Sequence, residues 1–135
     1  MDLKSLLLPE KQAEFDYPGC DGFKVTLAFI SKEEMGKITK KCNNKVLDKK
    51  TRKMVDEFDA ELFSKLYTKR VLKGWKGLKY KYLCKFLLAD INDLNPEDEL
   101  EFSEENALTL MLNSNDFDNW VFEMMSDLEL FTNPD

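Results

Sequence analysis

The chain has 135 residues, 43% of them hydrophobic and 12% aromatic, with a formal net charge of −6; this is enough apolar material for one folded domain and too much for a disordered chain. It has no histidine, and its three cysteines, Cys20, Cys42 and Cys84, form no CxxC pair. That excludes Ser-His-Asp and Cys-His catalysis and leaves a zinc site short of ligands.

In chain order, residues 1–12 read as a leader carrying the apolar triplet Leu6-Leu7-Leu8, too short for a signal peptide. Alternation at 14–17 and at Phe23, Val25, Leu27 and Phe29, around the turn formers of 18–22, predicts a β-hairpin with a five-residue connection. Ser31 followed by Glu34 is a capping-box pattern that opens a helix over 32–42, with Met35, Ile38 and Cys42 on one side and Asn43-Asn44 ending it. Residues 46–55 read as a second, basic hairpin or a loop, and 54–58 as either strand or helix start. Asp59 is placed to cap a helix carrying Leu62, Phe63, Leu66 and Tyr67. The two glycines of 72–78 then predict a connector with Trp75 tucked into the core. Leu78, Tyr82, Leu83, Phe86 and Leu87 have helical spacing, and 92–101 is a polar loop. Ser103 caps a helix with Leu108, Met111 and Leu112. A last helix restarts at Ser114, Asn115 or Asp116 and is ended by Asn133-Pro134. Its core stripe is expected at Phe117, Trp120, Val121, Met124, Leu128 and Phe131, with Phe122, Met125 and Leu130 partly off it. The expectation is a single α+β domain over 1–135, with a small antiparallel sheet near the N-terminus, a mostly helical remainder and a tail at 132–135.

All 20 Lys and Arg stand at or before Lys85 with 12 of the 26 acids, a balance of +8; the remaining 14 acids follow without a cation. Such a split implies a polar partner, an oriented assembly or attraction between the halves. Basic residues at 49–53 and 69–81, interleaved with Trp75, Tyr80 and Tyr82, would suit nucleic acid, but the acidic half would repel the same phosphates. Asp90-Ile91-Asn92-Asp93-Leu94-Asn95 lacks the central glycine and alternating oxygens of a calcium loop. The acids between Glu97 and Glu105 read first as a solvated loop and a helix start. No acid–base pair, metal site or cofactor site stands out, so the reading is a non-enzymatic protein that takes no cofactor.

Three segments carry a resemblance. They are Lys73-Gly74-Trp75-Lys76-Gly77-Leu78, then Leu100-Glu101-Phe102-Ser103-Glu104-Glu105-Asn106, then Leu112-Asn113-Ser114-Asn115-Asp116-Phe117-Asp118-Asn119-Trp120-Val121. Together, over roughly the last 60 residues, the chain resembles tail assembly chaperones of long-tailed (siphovirus-type) bacteriophages. The resemblance implies a protein of the host cytoplasm that binds the tape measure protein, keeps it soluble and promotes tail tube assembly, with no catalytic residues. It also implies a short form of a product that in several members is extended by frameshifting. Surplus apolar residues on the last helix make Phe117, Trp120, Phe122, Met124, Met125 and Leu130 the candidate partner-binding residues, and the charge split suits self-association. The alternatives are a head–tail connector or tail completion protein, and a nucleic-acid-binding regulator.

Overall fold

The computed structural model describes residues 2–132. It is an α+β fold in which strands β1 (Gln12–Asp16), β2 (Lys24–Ala28) and β5 (Leu72–Lys76) form an antiparallel sheet in the order β1-β2-β5. The helices are α1 (Lys32–Cys42), α2 (Ala60–Val71), the single turn α3 (Tyr80–Leu83), α4 (Glu104–Asn113), α5 (Asn115–Met125) and α6 (Glu129–Thr132). A separate two-stranded sheet pairs β3 (Asn43–Leu47) with β4 (Met54–Phe58). The leader contains one 3-10 turn, Leu3–Leu6. The expected stop at Asn133-Pro134, and most of the expected tail, lie outside the described residues.

Helix starts follow from local chemistry. Ser31, Asp59, Ser103 and Ser114 each accept the backbone N–H three residues on, at 3.2, 3.0, 3.0 and 3.2 Å, which satisfies a donor that the helix itself cannot. The capping box at Ser31 is only half made. Glu34 does not reach back; its carboxylate accepts from Arg70 of α2 at 2.7 and 3.2 Å, while Arg70 also donates to the Phe29 carbonyl at 3.0 Å. The Arg70 hydrogen bond holds the Glu34 carboxyl below the usual carboxylate range.

The sheet has one dry face. Register places Phe15 and Trp75 either side of Val25, with Leu72 beside Leu27, and Val25, Leu27, Phe23, Leu78, Phe117 and Val121 are fully buried. Each such side chain contributes about 1.5–3 kcal/mol of transfer free energy before the entropy of ordering is counted. On the other face, Lys24–Asp16 at 2.9 Å and Lys76–Glu14 at 3.4 Å pair charges across strands.

Four sequence expectations are corrected. Residues 72–76 are a strand rather than a connector. The register shifts between Thr26 and Leu27 and leaves Lys73 as an extra residue, so Leu72 and Trp75 face the same core three apart and the period-2 signal is hidden. Helical geometry after Leu78 lasts only for the turn of α3, although Tyr82, Leu83 and Phe86 are buried as expected. The last helix is two. Ser126 Oγ donates to the Glu123 carbonyl at 2.6 Å and Asp127 accepts from the Glu129 N–H at 3.2 Å, so side chains compete with the helical ladder and stop α5. That break exchanges two roles: Met125 joins the core and Leu128 is exposed.

Part of the charge split is met inside the fold. The acidic loop folds back on the basic segment at the start of α3: Tyr80 N–H donates to the Asp98 carbonyl at 2.8 Å, and Leu100 N–H to the Leu78 carbonyl at 2.8 Å. Glu97 accepts from Lys81 at 2.8 Å and Lys79 at 2.9 Å, and Glu99 accepts from the Gly77 N–H at 2.8 Å. Hydrogen bonds from Lys81 and then Lys79 hold the Glu97 carboxyl down at about 2, against an ordinary value of 4.5. A depressed folded pKa contributes stability that is complete above the ordinary value and is lost as pH falls toward the folded one. Thermal melts of the wild type should therefore shift down between pH 4.5 and pH 2. Glu97→Gln should remove part of that shift, modestly because the pair is solvated and screened by salt. Identical pH profiles for the two proteins would show that the loop is held by its backbone bonds alone.

Candidate functional site

The β3–β4 hairpin is the first unusual surface. Its register is regular, Lys45 opposite Asp56 and Leu47 opposite Met54, yet no residue of it is buried. Alternation puts Leu47, Met54 and Phe58 on one face, with Lys45 and Asp56 between the Leu47–Met54 pair and Phe58; Leu47 and Met54 are each 60% exposed and Phe58 45%. A two-stranded hairpin gains little from its own packing, so apolar residues held out on one face gain more from a further surface.

That face runs on into a groove between helices. Phe58 packs against Phe63 at 5.6 Å between ring centroids, and Phe63 stacks on Tyr67 at 5.7 Å. Beyond Tyr67 the groove is lined by Met35 of α1, Ser64 and Thr68 of α2, Met111 and Leu112 of α4, and Asn115, Asp118 and Phe122 of α5. Leu112 is 53% and Phe122 61% exposed. These positions meet because α2 packs on both α1 and α4, and α4 packs on α5 through the tight turn capped by Ser114. The result is a run of apolar side chains from Phe58 to α5, with polar groups among them and with Lys45 and Asp56 interrupting it on the hairpin. Burial pushes the Tyr67 hydroxyl up to about 12, with the Asp118 carboxylate adding to it, and burial pushes the Asp118 carboxyl up.

The six residues singled out in the sequence divide. Phe117 and Met125 are in the core, Phe117 with no exposed surface, because the i, i+4, i+8 row of α5 (Phe117, Val121, Met125) is its buried face. They hold α5 in place and present nothing to a partner. Trp120 and Met124 are half-buried against the same core, Trp120 edge-on to Tyr17 at 4.8 Å. Phe122 lines the groove; Leu130 is exposed on α6, beside β1 and apart from the groove. Leu47, Met54, Phe58 and Leu112 were missed. A signal existed for Leu112, since only one of the adjacent Met111 and Leu112 can face the core of a helix pair. The hairpin face was hidden because its strand register was ambiguous.

A second apolar surface lies at the N-terminus, where Leu6, Leu7 and Leu8 stand exposed beside Leu128 and Phe131. The basic stretch reads differently in three dimensions. Trp75 and Tyr82 are buried, donating to the Leu100 and Asp21 carbonyls at 2.9 and 2.8 Å, so neither offers a face for base stacking. Cys20 and Cys42 are buried, Cys84 is exposed, and none is in a disulfide. Among the described residues no helix is long and apolar enough to cross a membrane.

A family model described as YdaY prophage protein matches residues 30–134. The matched span contains α1, the β3–β4 hairpin, α2, α4 and α5, and so every element of the groove. No curated protein and no solved structure matches the chain.

Proposed function

We propose that this chain, which belongs to the YdaY prophage protein family and is thus phage-derived, is a non-enzymatic tail assembly chaperone acting in the host cytoplasm. In this reading it binds the tape measure protein, keeps it soluble and promotes tail tube assembly. The observation that carries the reading is the apolar surface from Phe58 through Phe63 to Leu112 and Phe122, with Leu47 and Met54 exposed farther out on the hairpin beyond the Lys45–Asp56 pair. A long amphipathic helix aggregates through its apolar face when alone, and an apolar groove with polar edges is the surface that covers such a face. The phage origin and the resemblance of residues 73–78, 100–106 and 112–121 to tail assembly chaperones point to the tape measure as that helix.

Co-expression with the tape measure protein of the same genome tests the reading. The tape measure is expected to become soluble and to co-purify. The double variant Leu112→Glu and Phe122→Glu should lose that co-purification at least tenfold while folding normally, because exposed substitutions change stability by only about 0.5 kcal/mol. An insoluble tape measure beside a well-folded partner would overturn the reading, and recovery of the chain in purified particles would favour a head–tail connector.

A further inference from the structure

The three-stranded sheet ends on an open edge. Strand β1 has β2 on one side and, among the described residues, no strand on the other. Tyr17 N–H donates to the Phe23 carbonyl and Phe29 N–H to the Lys11 carbonyl, both at 2.9 Å, and one unbroken register joins these two bonds. Antiparallel residues bond a given neighbour alternately, so Ala13 and Phe15 bond β2, while the N–H and C=O groups of Gln12, Glu14 and Asp16 point away from it. Among the described residues no backbone group bonds any of those six. Exposed edges are often blunted by a proline or a bulge; β1 has neither. Beside it lies a groove of about 680 Å³. Consecutive residues 11–15 line one wall, which only the edge of a strand allows, since alternate side chains face opposite ways. Asp127 and α6 line the other.

The walls set the chemistry of an occupant. Half-buried Phe15 stands edge-on to Phe131 at 5.2 Å, with exposed Leu130 beside it, so one face of an added strand would meet apolar surface. On the opposite face of β1, Gln12, Glu14 and Asp16 are exposed in a row. Three acids line the groove, Glu14, Asp127 and Glu129, and Lys11 is the one cation among its described lining residues. Glu14 pairs with Lys76 at 3.4 Å, whereas no ion pair involves Asp127 or Glu129 among the described residues.

We infer that this edge takes up an extended basic segment of a partner protein as a fourth, antiparallel strand. Its main chain bonds the open groups of Gln12, Glu14 and Asp16. Alternate apolar side chains lie on Phe15 and Leu130, and the lysines or arginines between them are met by Glu14, Asp127 and Glu129. Strand addition of this kind takes affinity from main-chain bonds and specificity from alternate side chains. A second copy suits the edge poorly: symmetrical pairing through the open groups sets Glu14 opposite its own counterpart, and like charges opposite each other destabilise a strand pair. The inference stands apart from the helix-binding groove, which other elements build.

Amide hydrogen exchange of the full chain, followed by NMR, tests it. The probe is a capped heptapeptide of alternating lysine and valine. In the free, dilute chain the amides of Gln12, Glu14 and Asp16 should exchange fast, and those of Ala13 and Phe15 slowly. Saturating peptide should slow the first three at least about tenfold. A glutamate–valine counterpart should bind about tenfold more weakly, the sum of a few solvated charge contacts. The pairing sets each lysine of the probe opposite Gln12, Glu14 or Asp16, so its lysine nitrogens point at β1; methylating them should abolish protection, and methylating the valine nitrogens should not. Glu129→Lys should weaken the basic peptide severalfold at an unchanged melting temperature, since the side chain is exposed and unpaired among the described residues. Unprotected edge amides, equal binding of the acidic peptide, or indifference to methylation at the lysines would sink the inference. So would slow exchange of the three amides without peptide: independent of concentration it would mean that the chain covers its own edge, and rising with concentration that a second copy does.

Discussion

Gly77→Ala is expected to cost more than about 4 kcal/mol, the range in which a small domain of marginal stability has little folded population left. A Cβ at this position would stand 1.9 Å from the Gly22 carbonyl oxygen, 2.7 Å from its carbon and 3.3 Å from the Phe23 Cα. All three are backbone atoms, and Gly22 lies in the turn that leads into β2, so relief requires moving a central strand. The backbone at Gly77 is also left-handed, with φ +76°, which an L side chain adopts only with strain. Its N–H anchors Glu99, so the displacement would free the acidic loop as well. Gly36→Ala is the matched control. Gly36 lies within α1, and nothing stands within 4 Å of its added Cβ. It should stabilise by about 0.5–1 kcal/mol, the difference in helix propensity. Urea titrations of the two variants read both signs at once, and a folded Gly77→Ala of near wild-type midpoint would show that β2 and β5 can separate freely.

Phe117→Ala should lower the free energy of unfolding by about 3–5 kcal/mol. The ring has no exposed surface and sits in an aromatic cluster with Tyr17, Phe23, Phe86 and Trp120, at centroid distances of 5.8, 6.3, 5.9 and 6.0 Å. Tyr17 and Phe23 come from the hairpin connection, Phe86 from the segment after α3 and Trp120 from α5 itself, so collapse around the missing ring would have to draw together three separated parts of the chain. The cost should therefore lie toward the upper end of the range, and near-ultraviolet circular dichroism should weaken as the aromatic packing loosens. A residue that served a partner would show the opposite pattern, with stability kept and binding lost. Phe122→Ala, whose ring is mostly in solvent, provides that comparison: a small change in urea midpoint with a clear loss of tape measure binding.

The contrast between Phe117 and Phe122 shows where sequence reasoning stops. Both are apolar residues on one helix, and the sequence placed both among the partner-binding candidates. Their fates differ because α5 is rotated by its contacts with α4 and with Tyr17, Phe23 and Phe86, which no pattern within the helix specifies. Glu34 makes the same point. Its spacing from Ser31 fits a capping box, but a guanidinium 36 residues away binds it instead. The ion pair is the stronger interaction, and only the tertiary arrangement brings Arg70 there.

What the sequence determined by itself is what depends on neighbours within four residues: the caps at Ser31, Asp59, Ser103 and Ser114, the span of α1, and the first hairpin with its five-residue turn. Those signals are local because capping and strand alternation are satisfied by adjacent backbone groups. What the tertiary structure decided is what depends on partners far along the chain. The bulge at Lys73 hides β5, the side-chain competition at Ser126 and Asp127 splits the last helix, and Glu97 of the acidic loop pairs with Lys79 and Lys81 at the start of α3. The groove belongs to this second class. Its walls come from five elements, and whether Leu112, Phe58 or the Tyr67 hydroxyl is covered or open is set by how α1, α2, α4 and α5 close around it, since burial is a property of the assembled surfaces and not of any residue's own sequence.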